Sequence, residues 1–119
     1  MSNLATELQQ FTDSETRYKH WLELHFTEGV KYLADQAHCY WLLDAIGSYQ
    51  PQLKADPELR FFQVWQLLVD NHSALLTCWP DTPGQGKPWV SQPIEFTDFP
   101  LPEIKLFWSQ GILMLPREY

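Results

Sequence analysis

Two patterns of apolar spacing divide the chain, and the change falls between residues 50 and 60. In the first part apolar side chains recur at helical intervals. "NLATELQQF" predicts a short helix capped by Asn3. "TDSE" follows, with Thr12 and Glu15 at the spacing of a capping box. Tyr18, Trp21 and Leu22 then share a helical face, so a second helix is expected from about Asp13 to about Leu24. Thr27 is the next cap, and Glu28 puts a negative charge where a helix N-terminus favours it. A third helix is expected from about 28 to 49, stopped by Pro51.

From residue 60 the spacing becomes that of strands. "RFFQVWQLLVD" is rich in β-branched and aromatic residues, and "DNHS" turns it into "ALLTCW". "PDTPGQGKP" is an exposed loop by composition, bracketed by Trp79 and Trp89, which would face each other across a hairpin. "WVSQPIEF" is a third strand, with Pro93 marking an edge or a bulge. "EIKLFW" alternates, with Ile104, Leu106 and Trp108 on one face, and "SQG" turns it into "ILMLP". Short connections favour antiparallel pairing. The expected fold is therefore α+β in a single domain, residues 1–119. About three helices within residues 1–50 pack on one face of an antiparallel sheet of about five strands within residues 60–115.

The stretch "ADQAHCYWLLDAIG" holds the densest set of reactive side chains. On one continuous helix, Val30, Leu33, Ala34, Ala37, Trp41 and Ala45 form a broad apolar face, while Lys31, Asp35 and His38 form a polar strip. Asp44 falls inside the apolar face, so it is expected to be a buried carboxylate that needs a hydrogen-bonding partner. His38 and Cys39 point about 100° apart on a helix and do not form a nucleophile–base pair with each other. The reading for Cys39 is a buried, inert thiol.

Chemistry elsewhere is thin. His20, His25, His38, His72, Cys39 and Cys78 show no metal-ligand spacing, and no phosphate loop or G-x-S-x-G elbow occurs, so neither metal nor cofactor is expected. The net charge of −7 and the scattered basic residues disfavour nucleic acid as a partner. No apolar run reaches membrane-spanning length, and the polar start lacks a secretory pattern, so no membrane association is expected. Two cysteines fit a reduced, cytoplasmic protein, with a Cys39–Cys78 bridge left open by the sequence. Aromatics at 15% must mostly be buried, or they would form a sticky patch.

"FTDSETRYKHWL", "TEGVKYLADQAHCYWLLDAI" and "IEFTDFPLPEIKLFW...LMLPREY" together resemble a small domain-of-unknown-function family, abundant in cyanobacteria and found on plasmids and other mobile elements. The residues that carry the resemblance include Phe11, Thr12, Tyr18, His20, Trp21, Gly29, Lys31, Tyr32, Tyr40, Trp41 and Asp44. The family pattern places small residues such as Gly or Ala at positions 38 and 39, where this chain departs from it. The resemblance implies a standalone domain and supplies no activity. It leaves His20, Lys31 and Asp44 as the polar site candidates. The first expectation is a cytoplasmic protein-interaction or accessory module, linked to mobile elements or host defence, and more a binder than an enzyme. The rival is a ligand binder or enzyme with Asp44 and His20 in a pocket between helices and sheet, helped by Lys31 or Tyr18. A third is a homodimer formed through a sheet edge or through Trp79 and Trp89.

Overall fold

A computed structural model describes residues 4–11, 17–19, 24–81, 83–84 and 86–119. The elements run α1 (Leu4–Leu8), β1 (Arg17–Lys19), β2 (His25–Thr27), α2 (Glu28–Ala37), α3 (Tyr40–Leu53), β3 (Phe62–Asp70), β4 (Ser73–Trp79), β5 (Val90–Ile94), β6 (Glu103–Ser109) and β7 (Ile112–Met114), then a 3₁₀ turn at Pro116–Glu118. The expected α+β class holds, with helices on one face of a sheet. Among the described residues the sheet has seven strands in the order β1-β2-β7-β6-β3-β4-β5. It is mixed, because β2 runs parallel to β7 while the other pairs are antiparallel.

All five expected strands form, and two more join them at the β7 edge. That corrects the expected helix at 13–24. Arg17–Lys19 is a strand that pairs with His25–Thr27. The local spacing looked helical, but His25 and Phe26 find backbone partners on β7, and the His25 N–H donates to the Gly111 carbonyl at 3.3 Å. Such pairing lies far along the chain and overrides weak local propensity. Thr12, His20 and Trp21 lie outside the described residues.

The expected single helix at 28–49 is two helices. Thr27 caps α2 as read, its hydroxyl accepting from the Val30 N–H. His38 then adopts a left-handed conformation, φ 52° and ψ 44°, which ends α2. Cys39 caps α3, and its carbonyl accepts from the Leu42 N–H at 2.9 Å. A left-handed cap is where glycine is favoured, which gives a physical reason for a small residue at position 38. The later boundary also moves, since α3 continues past Pro51 to Leu53. Gln50 and Leu53 are both buried, and their anchorage holds the last turn beyond the proline.

Strand alternation then sorts the side chains. The inner face carries Phe26, Leu113, Trp108, Leu106, Trp65, Leu67, Leu76 and Cys78, all buried beneath the helices. Burying each large apolar side chain contributes about 1.5–3 kcal/mol. The same face holds a polar lock. Gln50 and Gln63 exchange amide hydrogen bonds at 2.9 Å each, and the Trp65 indole N–H donates to Gln63 Oε1 at 2.8 Å. The remaining amide protons go to the Ile46 and Leu59 carbonyls. Buried amides cost little once every donor is paired, and this network fixes α3 against β3.

Candidate functional site

Asp44 does not sit where the sequence placed it. The break at His38 and Cys39 resets the helical phase, so a face counted from Val30 does not run on through Asp44. The residue is half-buried on α3, among Tyr40, Trp41 and Ala45, which are half-buried or exposed. Lys31 stands on α2, where its ammonium pairs with Asp35 Oδ2 at 2.6 Å and lies 5.5 Å from the Tyr18 ring centroid. Lys31 and Tyr18 are thus neighbours, and His20 lies outside the described residues. Among the described residues no group of three or more His, Cys, Asp or Glu is placed to hold a metal.

Lys31 and Tyr18 do share a cleft of about 180 Å³, lined also by Phe11, Glu28, Tyr32 and Asp35. It exists because the β1–β2 pair brings Tyr18 beside α2. Tyr18 stacks on Phe26 at 5.6 Å, and Phe11 meets Tyr32 at 5.1 Å. Asp35 was read as part of a solvated strip, but it organises this corner, since Tyr40 Oη donates to its second oxygen at 2.6 Å. The Lys31 and Tyr40 hydrogen bonds hold the Asp35 carboxyl below its usual range, and Asp35 in turn holds Lys31 above its own. The lysine's charge is thereby committed to its neighbour. Burial and a hydrogen bond to Glu7 raise the Tyr32 phenol.

Both cysteines are free and buried. Burial pushes each thiol up to about 12, which leaves almost no thiolate for nucleophilic chemistry at neutral pH. Cys39 Sγ contacts the Leu33 carbonyl at 3.7 Å, so its role is at the joint between α2 and α3.

A contact absent from the sequence reading ties the chain's end to α2. Glu118 is buried, and its carboxylate accepts from Thr27 Oγ1 at 2.6 Å, the Gly29 N–H at 3.2 Å and the Leu115 N–H at 3.0 Å. A carboxylate at a helix N-terminus meets unpaired N–H groups and the positive end of the dipole. Gly29 is required there, because a Cβ would come within 2.6 Å of Glu118 Oε1 and 2.7 Å of Leu115 Cδ1. No local signal announces this pairing, since the partners lie 89 and 91 residues apart.

The sheet's outer face is built differently. Its side chains run in rows across the strands. One row is Trp79, Val64, Phe107 and Met114. The next is Ser91, Thr77, Gln66 and Lys105, and the third is Pro93, Leu75, Leu68 and Glu103. Leu68 and Leu75 are directly opposite each other and are 43% and 37% exposed. At the other end of these strands Phe62, Phe107 and Tyr119 cluster with ring centroids 5.2 to 5.7 Å apart. The bracketing tryptophans part company: Trp79 lies buried on this face, its N–H donating to Thr77 Oγ1 at 2.9 Å, while Trp89 is 50% exposed.

A small two-layer α+β protein, helices on one side of a mixed sheet and an open face on the other, is the class these features define. The chain belongs to a family of unknown function, DUF6876, whose model matches residues 2–119. No curated protein and no solved structure matches it. Among the described residues no helix is long and apolar enough to cross a membrane.

Proposed function

We propose that the protein is a small interaction module that binds another protein through the open face of its sheet. The observation that carries this reading is the directly opposed, exposed pair Leu68 and Leu75, on the same sheet face as the Phe62–Phe107–Tyr119 cluster and separated from it by the Thr77–Gln66–Lys105 row. Apolar side chains grouped on one face, with a polar row between them, have the composition of an interface centre. A second copy of the chain is one protein this face would fit. The free, buried thiols support a reducing compartment such as the cytoplasm. The link to mobile elements or host defence rests on the sequence resemblance alone.

Enzymatic action has weaker support, because the thiols are held protonated, Lys31 is committed to Asp35, and the Gln50–Gln63–Trp65 network fills the layer between α3 and β3. The test is affinity capture from the source cells with the wild type and a Leu68→Glu/Leu75→Glu variant. The wild type is expected to retain a reproducible partner that the variant loses while its melting temperature is unchanged. Equal retention by both proteins would refute the assignment of this face.

A further inference from the structure

We propose that a second cleft, between the C-terminal half of α3 and the edge strand β5, takes an arginine side chain from a basic segment of a partner protein. The cleft measures about 390 Å³, and its lining includes Tyr49, Gln52, Asp56, Trp89 and Ser91. Trp89 stands at its lip, half in solvent, with its backbone N–H pinned to the Cys78 carbonyl at 2.8 Å. An indole that exposed offers a flat π-face, and the indole is the best of the aromatic side chains for holding a cation.

Asp56 supplies the charge. Its Oδ1 accepts from the Glu58 and Leu59 N–H groups at 2.8 and 3.2 Å, which fixes the carboxylate. Among the described residues no cation pairs with it, and no Lys, Arg or His lines the cleft. Lys54 is engaged elsewhere, 6.0 Å from the Trp108 ring centroid, and Lys87 lies outside the lining. Gln52 adds an amide with no partner among the described residues. A planar, multidentate cation matches this set: the guanidinium stacks on the indole while its edge donates to Asp56 and Gln52. The net charge of −7 draws basic segments toward the protein. An anionic ligand meets only Asp56 and no counter-charge. Strand addition at this edge is disfavoured, because Pro93 has no N–H to offer.

The proposal shares with the reading above only the statement that the partner is a protein, and the two are read separately. The wild type, Trp89→Ala, Trp89→Phe and Asp56→Asn proteins are titrated with a short arginine-containing peptide and with its citrulline isostere. Asp56→Asn keeps the Oδ1 acceptor for Glu58 and Leu59 and removes only the charge. The arginine peptide is expected to bind the wild type, more weakly at high salt, and the citrulline peptide about tenfold less well. Trp89→Ala and Asp56→Asn should each lose about tenfold, and Trp89→Phe less. Leu68→Glu/Leu75→Glu should bind the peptide as the wild type does, whatever that variant does to partner capture. Equal binding of the two peptides would overturn the proposal, as would wild-type affinity in both Trp89→Ala and Asp56→Asn, or no binding of the arginine peptide at millimolar concentration. A neutral oligosaccharide that needs Trp89 and ignores Asp56→Asn would overturn it too.

Discussion

Gln63 and Gln66 stand on the same strand, three residues apart, on opposite faces of the sheet. Gln63 is fully buried and spends its amide on Gln50, Trp65 and the Leu59 carbonyl. Gln66 is half-buried and donates to Glu103 at 2.6 Å, beside the exposed Leu68 and Leu75. The inner face has its polar atoms paired inside the protein and its large apolar groups covered by helices. The outer face buries Val64, Thr77, Trp79 and Met114 but leaves the Leu68–Leu75 row to solvent. One sheet thus carries stability on one side and available surface on the other.

The largest expected effect breaks the inner side. Gln63→Ala leaves the Gln50 amide only its Ile46 partner and the Trp65 N–H unpaired in the core, and should cost about 3 kcal/mol in urea denaturation. Gln66→Ala, on the open side, should change stability by about 0.5 kcal/mol or less. Similar losses for the two would erase the distinction between the faces. Next comes the junction where the C-terminal turn meets α2. Gly29→Ala drives a methyl into Glu118 and Leu115 and should destabilise by about 2 kcal/mol, seen as a lower urea midpoint.

The thiols sharpen the comparison by pH. Cys78 is buried on the inner face, and its thiol, like that of Cys39, is raised from 9.0 to about 12 in the folded state. The unfolded chain therefore releases these protons first. Their contribution is intact below pH 9.0 and falls as the pH climbs toward 12, by about 1.4 kcal/mol per thiol per pH unit. Chemical denaturation across that range should give a shallower decline for Cys78→Ala than for the wild type. The last change is a gain away from both faces. His38→Gly relieves a left-handed residue whose side chain is exposed, and should add about 1 kcal/mol, read as a higher melting temperature.

These effects track what the sequence disclosed. The strands from Phe62 onward were legible because alternation is local: Ile104, Leu106 and Trp108 share the inner face as spaced. Thr27 was legible as a cap for the same reason. The β1–β2 pair was not, since three-residue strands carry almost no pattern and owe their place to β7. The helix break was hidden because His38 is neither Gly nor Pro, and that one turn of backbone moved Asp44 off the face assigned to it. Glu118, Asp35 and Trp89 show why sites are harder to read than elements. Glu118 meets α2 only after the whole sheet has formed. Asp35 was visible as the i+4 partner of Lys31, yet Tyr40 joins it only because the chain bends at Cys39. Trp89 was conspicuous in the loop, but its half-exposed setting depended on the register of β5.

The most direct measurement is site-specific photo-crosslinking in the source cells, with the probe at Leu75 on the open face or at Gln36, exposed on α2. The account predicts one discrete adduct from Leu75, to a partner protein or a second copy of the chain, and none from Gln36. Adducts from Gln36 alone, or none from Leu75, would contradict it.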